Sequence, residues 1–192
     1  MKLVAIKTSF RPRSNSSILL AAAAEGARSA GATVEVVDLT GRTIGPCRAC
    51  DACARTGKCI FTDDDLVPLL EDIWEAGRVL VATPVHFMSV PAQLKLLVDR
   101  TQCLYNRKYV LRERLEGKEL SRRRGGVIAV CGSRHEEGFE ALDLTMRYFF
   151  DSLQIELAER LYVARVDSPG EIERHPERIA QARELGERLG RP

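Results

Sequence analysis

The sequence predicts an α/β protein built on a doubly wound, five-stranded parallel sheet with helices on both faces. Three observations predict it. Short runs rich in Val, Leu, Ile and Ala recur five times, separated by segments whose apolar residues fall at helical spacing. The connections are too long for hairpins and carry helix caps and breakers, which makes neighbouring strands parallel. A chain of 192 residues without repeats or low-complexity tracts is the right size for one such domain, residues 1–192. Right-handed crossovers then favour the strand order 2-1-3-4-5.

The first strand is Lys2 to Thr8, with the buried run Leu3-Val4-Ala5-Ile6. After a polar turn from Ser9 to Ser17, Ile18 to Ala30 is an alanine-rich helix, with Asn15 or Ser16 as cap and Gly31 as stop. Thr33 to Leu39 is the second strand. Leu66, Leu69, Leu70, Ile73 and Trp74 mark the next helix, which Gly77 ends. Pro68 must sit in its first turn, so Asp64 or Asp65 caps it. The third strand is Arg78 to Ala82. A turn from Thr83 to Ser89 opens a helix running from Pro91 to Leu104. Gly125 to Val130 is the fourth strand, leading into Cys131-Gly132-Ser133-Arg134-His135. Glu140 to Leu153 is a helix, Leu157 to Arg165 the fifth strand, and Glu171 to Leu189 the terminal helix.

Composition excludes several classes. Net charge is +2, too small to argue for nucleic acid. The start, Met1 to Ile6, reads as a strand rather than a secretion signal, and no stretch approaches the length of a membrane span. A cytoplasmic protein is therefore expected. In that reducing compartment six cysteines argue for metal or redox chemistry over structural disulfides.

Doubly wound sheets bind ligands at the carboxyl ends of their strands, where the strand order reverses. The loop after the first strand, Ser9 to Ser17, offers four serine hydroxyls, the Asn15 amide and two arginines ahead of a helix N-terminus. Free N–H groups and the helix dipole favour an anion there. The loop has no glycine, so it is neither a dinucleotide fingerprint nor a Walker loop. Hydroxyls suit a single phosphomonoester, to which Arg11 would add a charge-assisted bond. The competing reading is a plain capped turn.

Cys47, Cys50, Cys53 and Cys59 lie within thirteen residues, spaced C-x2-C-x2-C-x5-C, in a loop at 45–60. Four thiolates are what an iron–sulfur cluster needs, and two-residue gaps let them converge. Gly45, Pro46 and Gly57 supply tight turns. The alternatives are thiols that carry no metal and a zinc site, although zinc sites usually pair two C-x2-C knuckles across a longer spacer. Cys103 reads as a small buried hydrophobe.

The segment Ser9-x-Arg11-x-x-Ser14-Asn15-Ser16 resembles the flavin-phosphate loop of the NAD(P)H-dependent FMN reductases, a flavodoxin-like family. Thr83 to Lys95, continuing to Asp99-Arg100-Thr101, resembles that family's second signature. With Asp63-Asp64 and Gly117-Lys118 the resemblance spans roughly residues 2 to 135. It implies FMN, with its phosphate held by Ser9, Arg11, Ser14, Asn15 and Ser16. Pro84, Val85, His86, Phe87, Met88 and Ser89 would then run along the isoalloxazine. Cys131, Gly132, Ser133 and the loop to Gly138 would close its other side. Phe10 stands where proline is usual, Ser16 replaces threonine, and His86 takes an aromatic's place.

The cysteine pattern is similar to that of the iron–sulfur flavoproteins, which implies a 4Fe-4S cluster beside FMN. NAD(P)H, a quinone or a ferredoxin-like protein would be electron partners, and a homodimer or homotetramer would pack through Pro91 to Leu104. No side chain is expected to act as acid or base. A basic excursion at 105–124 reads as a solvated loop with Glu113, Glu116 and Glu119 offsetting its charge. Its sharper reading is a surface for an acidic electron partner or for the extra phosphate of NADPH. The competing functions are a cluster-free NAD(P)H-dependent FMN or quinone reductase and a non-enzymatic flavin electron carrier or redox sensor.

Overall fold

A computed structural model describes residues 1–134 and 137–192. Its strands are β1 (Lys2–Lys7), β2 (Thr33–Asp38), β3 (Arg78–Pro84), β4 (Arg124–Cys131) and β5 (Glu156–Ala164), all parallel, in the order β2-β1-β3-β4-β5. The expected class, strand number and order are all found. Side chains alternate between two cores, as the period of two requires. Val4, Ile6, Val79, Val81, Val127 and Ala129 face one; Leu3, Ala5, Leu80, Ala82, Ile128 and Val130 face the other.

The first core is covered by α3 (Leu66–Ala76), α4 (Ala92–Arg100), α5 (Gln102–Tyr109) and α7 (Glu137–Ser152); the second by α1 (Asn15–Ser29) and α8 (Pro176–Gly190). Two short helices, α2 (Cys53–Thr56) and α6 (Gly117–Ser121), lie in loops. No helix among the described residues is long and apolar enough to cross a membrane. The α1–α8 contact is close because its glycines leave room. A Cβ on Gly186 would overlap the Ala23 carbonyl, and one on Gly26 would overlap the Arg183 carbonyl. This crossing holds α1, whose free N–H groups stand at the cleft, against α8.

Several elements differ from expectation, among them the terminal helix, where Glu171–Arg174 is a separate 3-10 turn and α8 starts only at Pro176. α1 starts at Asn15, not Ile18, because Ser14 is the cap: its Oγ accepts the Ser17 N–H at 3.1 Å. The Pro91–Leu104 helix divides at Thr101, whose hydroxyl bonds back to the Val98 carbonyl at 2.7 Å, a contact that bends helices. The basic excursion is less of a solvated loop than expected. Arg123 is buried and donates to the carbonyls of Trp74, Leu153 and Gln154, while Arg107 and Arg123 both lie against the Trp74 ring. Lys108 pairs with Asp151 at 2.6 Å. His135, expected just after the fourth strand, lies outside the described residues.

Candidate functional site

At the carboxyl ends of β1, β3 and β4 an open cleft of about 270 Å³ is lined by Ser9, Phe10, Arg11, Ser14, Asn15, Ser16, Pro84, Val85, His86, Val130, Gly132, Val166, Asp167 and Pro169. Nine of the residues singled out in the sequence meet there. Ser9, Ser14, Asn15 and Ser16 are buried, a burial that polar side chains tolerate only with partners. The first bond within α1 is Ile18 N–H to the Ser14 carbonyl, so the N–H groups of Asn15 and Ser16 precede the ladder. They and the helix dipole make this end of the cleft electropositive.

The hydroxyls are already organised. Ser9 Oγ accepts the Arg11 N–H at 3.3 Å, and Ser14 Oγ lies 3.3 Å from Ser16 Oγ and 2.7 Å from Ser17 Oγ. The Asn15 amide has both ends committed: Nδ2 donates to the Ser168 carbonyl and Oδ1 accepts the Ile172 N–H. It therefore ties the loop after β5 to the start of α1. The Arg11 guanidinium donates to the Asp167 carbonyl at 2.9 Å and its carboxylate at 3.3 Å. That pair is exposed and worth little in water.

On the opposite wall, His86 and Ser89 exchange two backbone hydrogen bonds of 2.9 Å, with φ of 46° at Phe87 and 59° at Met88. Positive φ at both central residues makes this a type I′ turn without glycine, a strained arrangement. The N–H groups of Val85, His86 and Ser89 are bonded, Val85 to the Val130 carbonyl, whereas those of Phe87 and Met88 take part in none of these bonds. The Phe87 side chain stands fully exposed at the tip.

Phe87, Met88, Ser89, Cys131, Ser133 and Gly138 do not line the cleft. Cys131 is buried in the apolar core, Ser133 gives its carbonyl to the Arg165 N–H, and Gly138 packs beneath Met88. Gly132 closes the cleft with its backbone, because a Cβ there would lie 2.8 Å from Asp167 Cβ. Val166, Asp167 and Pro169 come from the loop after β5, which sequence reasoning passed over. The turn signal Asp167-Ser168-Pro169-Gly170 directly after a strand would have flagged it.

Cys47, Cys50, Cys53 and Cys59 line a second, smaller space together with Arg100, Gln102 and Cys103. Ala49 and Asp51, on either side of Cys50, both have positive φ, so the loop winds tightly about that cysteine. Cys47 and Cys50 are exposed; Cys53 and Cys59 are half-buried against the first core. The space holds about 30 Å³, and among the described residues no three His, Cys, Asp or Glu side chains could together hold a single metal ion. The donor set, four free thiols lining one space, suits an iron–sulfur cluster. The geometry does not fit a single tetrahedral ion.

Arg100 fastens this loop at both ends. Its buried guanidinium donates to the Gly45 carbonyl (3.0 Å), the Phe61 carbonyl (2.8 Å) and Asp64 Oδ2 (2.8 Å). Burial pushes the Asp64 carboxyl up, but the N–H groups of Gly45 and Leu66 and the Arg100 guanidinium more than offset it and hold it below its ordinary 3.8. The stability from this depressed group is complete above pH 3.8 and is lost as pH falls through its lower folded-state value. In acid denaturation followed by circular dichroism, Asp64→Asn should therefore be less stable than wild type at neutral pH and lose less on acidification. Burial pushes the Cys103 thiol up to about 11.

A model of the NADPH-dependent FMN reductase family matches residues 1–164. Over 135 residues the chain is 33% identical to an iron–sulfur flavoprotein of Methanocaldococcus jannaschii and 32% identical to one of Methanosarcina thermophila. Each alignment covers 70% of this chain, and the chain spans 64% and 65% of those relatives' own lengths. Among solved structures, an NAD(P)H:quinone oxidoreductase from Methanothermobacter marburgensis matches with a TM-score of 0.73 over 100% of this chain and 98% of its own, at 20% identity. A flavone reductase matches with 0.73 over 99% and 62%, at 16% identity. The structural likenesses show the shared flavodoxin-like fold, and the matched family model establishes that this chain belongs to the NADPH-dependent FMN reductase family.

Proposed function

We propose that this protein is an FMN-dependent oxidoreductase of the iron–sulfur flavoprotein type, drawing electrons from NAD(P)H and passing them through its cysteine loop to a redox partner. The observation that carries the reading is the cleft, where an electropositive helix N-terminus and buried serines lie across from Pro84, Val85 and His86, at the start of a strained turn.

Bound FMN supplies hydride acceptance and one-electron release. Ser9, Ser14 and Ser16 hydroxyls and the first N–H groups of α1 hold the phosphate, and Asn15 positions them through the loop after β5. Arg11 exchanges its exposed Asp167 partner for the phosphate, a stronger charge-assisted acceptor. Pro84, Val85 and His86 would wall one side of the flavin, and Gly132 would let the opposite wall come close. Cys47, Cys50, Cys53 and Cys59 would hold a 4Fe-4S cluster, which supplies one-electron transfer; the names of the relatives support this reading. The six free cysteines accord with a reducing, cytoplasmic setting, and a quinone or ferredoxin-like protein fits as acceptor.

Protein purified without oxygen should carry FMN, iron and sulfide, and NADPH should bleach its flavin absorbance. FMN without iron or sulfide, with steady turnover of a quinone, would instead favour the cluster-free reductase. Because Asp167 competes for Arg11, Asp167→Asn should tighten FMN binding by up to a few-fold, about 1 kcal/mol or less. Weaker binding in a fluorescence titration would place Arg11 outside the phosphate site.

A further inference from the structure

The four cysteines do not line their space alone. Arg100 is 3% exposed and borders the same space, facing Cys59. Two of its nitrogens serve Gly45, Phe61 and Asp64, but Nε is buried with no hydrogen-bond partner. A buried guanidinium N–H without an oxygen partner is costly, which makes the neighbouring Cys59 sulfur the group it can serve. On the next helix, Asn106, 5% exposed, donates from Nδ2 to Cys53 Sγ at 3.1 Å. Its Oδ1 accepts from Gln102 Nε2 at 3.3 Å, which fixes which end of the amide faces the sulfur. The two half-buried cysteines thus each face a polar donor from α4 or α5.

We propose that Arg100 and Asn106 are positioning residues for a redox centre on the four cysteines, holding Cys59 and Cys53 and raising its reduction potential. The inference rests on the cluster reading above. An added electron makes a thiolate-bound centre more negative, and a nearby buried cation and an N–H donor to sulfur both stabilise that state. Asp64, on the far side of the guanidinium, works against the cation, so its charge lowers the potential.

The test is an anaerobic redox titration of the loaded protein, read at the iron–sulfur absorption, with iron and sulfide measured in each sample. Arg100→Gln should shift the one-electron equilibrium toward the oxidised form about tenfold, which is about 59 mV. Arg100→Lys should recover part of that shift, Asn106→Leu should move in the same direction, and Asp64→Asn in the opposite one. A merely structural role would not produce shifts of opposite sign. If Arg100→Gln does not fold or load, Asn106→Leu and Asp64→Asn decide alone. Wild-type potentials in loaded variants would overturn this inference and leave the cluster reading standing. Wild-type protein without iron and sulfide would overturn both.

Discussion

Ser16→Asp is expected to lower FMN affinity at least a hundredfold, about 2.8 kcal/mol, while the protein stays folded. Ser16 is buried in the first turn of α1 and lines the cleft beside Ser14. A carboxylate there stands among the N–H groups assigned to the phosphate, and like-charge juxtaposition costs several kcal/mol. The lost hydroxyl adds to this, since a hydrogen bond to a charged group contributes about 1.5–3 kcal/mol. The helix itself should tolerate the change, because an acidic residue in a first turn interacts favourably with the dipole. Fluorescence titration with FMN reads the affinity and circular dichroism the fold. Ser29→Asp, at the exposed far end of α1, controls for net charge and should bind FMN normally.

The second large effect concerns the scaffold beneath that turn. Gly186→Ala should destabilise the protein by about 3 kcal/mol, the upper part of the usual overpacking range, and lower Tm by roughly 6–12 °C. The new methyl would meet the Ala23 carbonyl, which the α1 ladder holds rigidly, so the helices must separate rather than a side chain turn aside. Their separation would also displace the start of α1, weakening FMN binding in the fraction that folds. Gly41→Ala makes a control, since a Cβ there meets nothing within 4 Å and its φ is not positive. Thermal melts of the two variants should differ by nearly the whole Gly186 effect.

What could be read in advance follows the range of the interaction. The strands were legible because each is a local apolar run bounded by turn residues, and their order follows from connection handedness. Ser14 was harder to choose as cap, because four successive Ser or Asn side chains, Ser14 to Ser17, compete for the role and only the extended backbone of Ser14 selects one. The break at Thr101 depends on a hydroxyl turning back on Val98, which apolar spacing does not register. The loop after β5 enters the cleft through contacts more than 150 residues apart, Arg11 with Asp167 and Asn15 with Ser168. No local pattern encodes such a pairing. The four cysteines announced themselves by spacing, whereas Asn106 looks like an ordinary helix asparagine, and Arg100, though part of the second signature, gives no sign in the sequence of facing the thiols.

The central claim is that the start of α1 and its serines grip a phosphomonoester on a flavin. Parallel titrations of flavin-free protein with FMN and with riboflavin, which lacks only the phosphate, test it most directly. The account predicts one FMN per chain and at least a hundredfold weaker riboflavin binding, about 2.8 kcal/mol. Equal affinity for the two flavins, or no binding of either, would contradict it.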